Sequence, residues 1–176
     1  MTRPAALYAC LYAREFPAQA LLRLRPEMRR KAFAVMEGEP PLQCVCSCNA
    51  KARSSGVVHG MTQVEIGTIP LVTALPRSRL EEKTAKAAVL ECAGTFSPRV
   101  EDKSEDSALL CVVDIAGTER LFGAPDVLAK ALLGRVRALG IVAVVAVSGD
   151  FNTALCIART MTSSRPLAIE IGRAHV

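Results

Sequence analysis

The stretch that decides the fold is Leu109 to Gly123, LLCVVDIAGTERLFG. Leu109 to Val113 is a continuous apolar run closing on Asp114, and Gly117 supplies a turn. A run of this length, bounded by an acid and a glycine, predicts a strand buried on both faces. Leu121, Phe122 and Gly123 lead into a helical pattern over Ala124 to Leu139, with Pro125 in the first turn and Arg135 and Arg137 in the last. Its core positions are read as Leu128, Ala131, Leu132 and Val136. Gly140 ends that helix, and Ile141 to Ser148 is a second buried strand. Asp150 is placed to cap a last helix through Thr160 that buries Leu155, Ile157 and Ala158.

Upstream, Ala6 to Ala13 reads as the first strand and Pro17 to Leu24 as a short helix with Leu21, Leu22 and Leu24 on its apolar side. A basic cluster follows, Arg23, Arg25, Arg29, Arg30 and Lys31, read as a solvated turn in preference to a phosphate-facing patch. Ala32 to Met36 and Leu42 to Cys48 are strands separated by a Pro40-Pro41 loop. Cys44, Cys46 and Cys48 alternate, so a regular strand puts them on one face. Zinc would need a second Cys or His pair at finger spacing, and small core residues are the better reading. His59, in the turn that follows, has no ligand partner near it in sequence and reads as an ordinary loop residue.

Thr62 to Ile66 suggests a short helix and Pro70 to Pro76 an extended connection. Ser78 to Glu81 has the spacing of a capping box, opening a long helix whose Ala85, Ala88, Val89, Cys92, Ala93 and Phe96 share one side. Pro98 ends it, and Glu101 to Asp106 reads as an exposed acidic approach to the central strand. A first strand far upstream of a strand, helix, strand series fits an α+β fold of split β-α-β (ferredoxin-like) type carrying a small inserted lobe.

Composition sets limits on function. With 176 residues, 51% of them hydrophobic, the chain buries one good core. The 22 Lys and Arg exceed the 17 Asp and Glu for a net charge of +5, a mild preference for a polyanionic partner. Seven cysteines, an odd number, suggest reduced thiols and hence the cytoplasm. The apolar run Ile141 to Val147 is far too short to span a bilayer, and the apolar Ala5 to Tyr12 is followed by Arg14 and Glu15 in place of a cleavage site.

Val113, Asp114, Ile115, Ala116 and Gly117, followed by Leu121, Phe122 and Gly123, resemble the palm segment of Y-family (UmuC/DinB-type) translesion DNA polymerases. A second match is Ser47, Asn49, Lys51, Ala52, Arg53, Gly56, Val57, Gly60 and Met61, which resembles the family's fingers motif. There the resemblance implies that Ser47 and Arg53 bind phosphate, while the family's tyrosine position is Ala50; for Arg53 an ordinary surface arginine is the other open reading. The family's magnesium-holding acids fall on Tyr12, Leu109 and Leu110, a further acid on Arg14, the sugar-gating aromatic on Pro17, and a helix lysine near Cys156. None of these replaces a hard carboxylate around magnesium.

That departure resembles the catalytically silent ImuB-like branch, which assists mutagenic DNA synthesis after damage. The resemblance implies no catalytic residue, no cofactor, DNA as partner, no membrane, and bridging contacts to a sliding clamp, an error-prone polymerase and a RecA-like accessory protein through further C-terminal regions. The alternative is an active polymerase using Glu105 and Asp106, which alone would call for magnesium. The domains expected are a palm-like core over 1–36 and 97–169 with a fingers-like insertion over 37–96. Residues 170–176, EIGRAHV, read like translated sequencing adapter, which predicts a natural chain continuing past Ile169.

Overall fold

The structure is a computed structural model that describes residues 5–171. It divides into two compact units, Met1–Arg14 with Lys86–Val176, and Glu15–Ala85. The expected adapter-like tail falls mostly outside the described residues, since only Glu170 and Ile171 of it are described.

The first unit holds a five-stranded sheet. In chain order its strands are β1 (Tyr8–Ala13), β5 (Val100–Asp102), β6 (Leu109–Asp114), β7 (Val144–Ser148) and β8 (Leu167–Glu170), arranged β5-β6-β1-β7-β8. β1 lies between β6 and β7 and runs antiparallel to both. β6 and β7 are therefore parallel to each other and joined by the crossover helix α6 (Pro125–Ala138), the split β-α-β arrangement expected from sequence. The apolar run explains the central place of β6, because Leu109 to Val113 are all buried. At its end the Asp114 carboxylate accepts the Ala116 N–H at 3.0 Å, and Gly117 takes φ 79° to turn the chain.

α6 buries Leu128, Ala129, Leu132 and Val136. Ala131, expected in the core, is exposed, and Ala129 replaces it; alanines two positions apart give periodicity little to choose between. α7 (Phe151–Thr160) is capped by Asp150, whose side chain accepts the Thr153 N–H at 2.8 Å. It buries Ala154 and Ala158, with Leu155 and Ile157 only half-buried. Two edge strands were not expected. Val100–Asp102, which overlaps the exposed approach expected over Glu101 to Asp106, pairs with β6, and β8 adds to β7 in parallel. Both are short, and the acids of β5 suit an edge that must not recruit another strand.

The second unit holds a three-stranded sheet of β2 (Ala32–Glu37), β3 (Cys44–Cys48) and β4 (Val72–Pro76), ordered β3-β2-β4. β4 lies where a connection was expected and runs parallel to β2. Side chains alternate across β2. Phe33 and Val35 pack with Ala18 and Leu21 of α1 (Phe16–Arg23), and Ala34 and Met36 pack with Val45, Cys48, Ala52, Val57 and Ile66. Ala52 comes from α2 (Ala50–Ser54) and Ile66 from α3 (Gln63–Gly67).

Being buried on both faces by these neighbours, β2 belongs with this unit, as does α1. The expected palm-like core includes residues 15–36, and the expected insertion runs to 96. The compact division instead falls at Glu15 and Lys86, the latter inside α4 (Arg79–Gly94).

The cysteine strand differs too. Val35 pairs with Ser47 but Met36 pairs with Val45, so Cys46 bulges out of the ladder. Cys48 thereby shares a core cluster with Val45, while Cys46 packs on the α1 side, its thiol donating to the Val35 carbonyl at 3.5 Å. All three remain thiols, as do the other four cysteines. Burial pushes Cys46 up to about 11, and Cys10 and Cys111 to about 12.

Candidate functional site

The bulge sends Ser47 to the face of β3 that α1 covers, fully buried. Its hydroxyl oxygen accepts the Ala18 N–H at 3.2 Å and its proton is donated to Glu15 Oε2 at 2.7 Å. Glu15 stands at the N-terminus of α1, makes no capping bond to that helix, and takes the left-handed backbone conformation φ 51°, ψ 41°. Its carboxylate is the centre of the site. Oε2 also accepts the Cys48 N–H at 3.0 Å, and Oε1 accepts the Arg53 guanidinium at 2.7 Å. His59 Nε2 lies 2.9 Å and 3.1 Å from the two oxygens.

Local structure delivers each donor. Asn49 caps α2 by accepting the Ala52 N–H at 2.9 Å and also accepts the Phe33 N–H at 3.1 Å, which fixes the helix bearing Arg53 to the end of β2. Gly60 takes φ 85°, and its N–H donates to the Val45 carbonyl at 2.8 Å, returning the turn to β3 with His59 beside Glu15. The two expected phosphate ligands, Ser47 and Arg53, are therefore brought together. His59 is no ordinary loop residue. Glu15 and His59, separated by 44 positions, carry no sequence signal that links them.

Glu15, Cys48 and His59 form the one group of three metal-capable donors among the described residues, their ligand atoms within 4.8 Å of one another. The chemistry suits an anion better than a cation. Burial raises the Cys48 thiol, with the Glu15 charge adding to the effect, which opposes the thiolate a metal needs. The Arg53 guanidinium already neutralises the carboxylate.

A second set of residues meets on β1 and β6. Tyr12 is directly opposite Leu110, and Ala13 opposite Leu109. Leu109 and Leu110 are completely buried, Leu110 among Cys10, Val112, Ala146, Ala154 and Ala158, with Tyr12 packed at the margin of that cluster. The Arg14 guanidinium lies over the Tyr12 ring, 5.7 Å from its centroid, and donates to the Arg159 carbonyl. Arg159 in turn pairs with Glu105. Glu105 and Asp106 are exposed in the turn between β5 and β6, and Cys156 is exposed on α7.

The basic cluster is divided. Arg25 is held by Glu81 through two bonds of 2.9 Å and 3.0 Å, whereas Arg30 and Lys31 line an open groove of about 850 Å³ with Lys51, Ser54, Ser55 and Thr73. Among the described residues no helix is long and apolar enough to cross a membrane.

Residues 11–159 match the impB/mucB/samB family. DNA polymerase IV of Francisella tularensis subsp. novicida (strain U112) is 31% identical over 101 residues, covering 57% of this chain and 29% of the relative. The same protein from Francisella tularensis subsp. holarctica (strain LVS) matches equally. Among solved structures, the post-insertion binary complex of Dbh DNA polymerase superposes with a TM-score of 0.78 at 19% identity, over 96% of this chain and 48% of that one. DinB from Sulfolobus solfataricus gives a TM-score of 0.74 at 18% identity, over 94% and 48%. The chain thus spans less than a third of its curated relatives and about half of its structural neighbours, and the neighbours share its mixed α/β sheets and helices. With most of its length matched, the chain belongs to the impB/mucB/samB family of UmuC/DinB-type, Y-family polymerase proteins.

Proposed function

We propose that this chain is the palm and fingers part of a catalytically silent, ImuB-like subunit that binds DNA and supports repair and mutagenic translesion synthesis without copying the template. The unit Met1–Arg14 with Lys86–Val176 is then the palm and Glu15–Ala85 the fingers. The observation that carries the reading is the pairing of Tyr12 with Leu110, Leu109 being buried one step away. Paired-metal phosphoryl transfer needs carboxylates that hold two cations about 4 Å apart. A phenol and two buried leucines supply none, and a divalent ion set against them would lose its hydration without replacement. The neighbouring Arg14 and Arg159 add positive charge. DNA as partner is supported by the relatives, which are named DNA polymerases. A sliding clamp, an error-prone polymerase and a RecA-like protein are the further partners of this reading.

Primer extension by the complete gene product tests it. The expected result is no template-directed incorporation with magnesium or manganese, together with DNA binding that weakens as salt rises. Incorporation that disappears in a Glu105→Ala, Asp106→Ala variant would establish an active polymerase with magnesium on those acids. Loss of all salt-dependent DNA affinity would leave a fold without nucleic-acid function.

A further inference from the structure

We propose that Glu15 is a resident anion: its carboxylate fills a cradle shaped for a phosphate-type oxyanion, so that this chain closes the site with its own side chain. The inference rests on Ser47 and Arg53 as phosphate ligands and is independent of whether the Tyr12 and Leu110 face is silent.

Every group that meets the carboxylate can act as a donor. A buried hydroxyl, a backbone N–H, a guanidinium and an imidazole approach two oxygens at 2.7 to 3.1 Å. Such a set suits a compact oxyanion. A phosphate group presents oxygens of the same kind in greater number, and the Arg53 fork matches them at least as well. The occupant is also held in an unusual way. Glu15 is one of two described non-glycine residues with positive φ, a conformation that β-carbon sterics disfavour. It stands at the start of α1 but gives that helix no cap bond, its side chain being turned into the cradle. The backbone is thus placed to deliver the carboxylate.

Access favours replacement from outside. The Arg53 and His59 side chains are 55% and 51% exposed, while Glu15 is 18% exposed beneath them. An anion arriving from solvent therefore meets Arg53 and His59 first and finds the inner positions, Ser47 Oγ and Cys48 N–H, taken. Terminal phosphates of a nucleotide and phosphates of a nucleic-acid backbone share this chemistry.

Calorimetric titration of the full chain with inorganic tripolyphosphate tests the idea, with dATP and a short single-stranded oligonucleotide as separate arms that distinguish the two sources. Glu15→Ala should bind tripolyphosphate at least about 30-fold more tightly than the unaltered chain, and Glu15→Ala combined with Arg53→Ala should lose most of that gain. If Glu15→Ala does not fold, Glu15→Gln is titrated with the same expectation. Equal affinity of unaltered chain and variant would overturn the proposal. So would a folded variant, by circular dichroism, that binds no anion, or one whose binding survives removal of Arg53. Primer extension reads a different site, so failure here and failure of the functional reading are separable.

Discussion

Around Glu15 four polar donors converge on one carboxylate, whereas along Tyr12 and Leu110 a phenol ring and aliphatic side chains meet where family resemblance would put acids. The physical chemistry of loss differs between the two regions. An acid on the β1 and β6 face would stand among Cys10, Val112, Ala146 and Ala154, and exchanging it for leucine removes a desolvation penalty while adding apolar burial, typically about 1.5 to 3 kcal/mol for a side chain of this size. The cradle cannot drift in that way. Removing its carboxylate strands the buried Ser47 hydroxyl and the Cys48 N–H, and among the described residues no buried side-chain N or O lacks a partner. A metal face can become core one residue at a time, while an anion cradle must keep an anion.

The most severe way to break the comparison is to put a carboxylate back. Leu110→Asp places an ionisable group at a fully buried position of the central sheet, packed among Cys10, Val112, Ala146, Ala154 and Ala158. A loss of about 4 kcal/mol or more is expected in denaturant unfolding, the range for an uncompensated buried charge. A change under about 1 kcal/mol would mean that the position accommodates an acid and would count against the proposed silence.

A smaller effect sharpens the other side. Ser47→Ala removes a donor to a charged acceptor and an acceptor for the Ala18 N–H, and should cost about 2 kcal/mol. Arg53→Ala, on a half-exposed side chain of the same cluster, should cost less than about 1 kcal/mol. Equal costs would show that the guanidinium is as structural as the hydroxyl.

The same contrast explains what could be read in the sequence. The Leu109 to Val113 run, the helix stripe of Val89, Ala93 and Phe96, and the turn glycines each express a local rule, and each appears in the structure. Ser47 and Arg53 are singled out by the resemblance to a fingers motif, and the structure places both against Glu15. Glu15 and His59 are not singled out, because a contact between residues 44 apart depends on a left-handed backbone at one and a glycine turn beside the other. The bulge at Cys46 was hidden by perfect alternation in the letters. The alternation of β2 records two buried faces without recording whose they are, and its neighbours on both lie within Glu15–Ala85.

The smallest expected effect concerns α7, which lays Ala154 and Ala158 against Leu110 and so completes the apolar side of the comparison. Its start is held by Asp150, whose carboxyl sits below the usual carboxylate range because it accepts the Thr153 N–H and then the Thr153 hydroxyl. A depressed folded-state pKa means that the unfolded chain takes up the proton first. The stabilisation is therefore fully present above the ordinary aspartate value near 4 and is lost as pH falls through the lower, folded value. Acidification should shift the Thr153 amide resonance and speed its hydrogen exchange, while the buried Leu110 amide, which donates to the Ser104 hydroxyl at 3.3 Å on the β5 side of β6, stays protected. Simultaneous loss of protection at both would show that the cap and the apolar face melt as one unit, and that α7 is essential to the packing around Leu110.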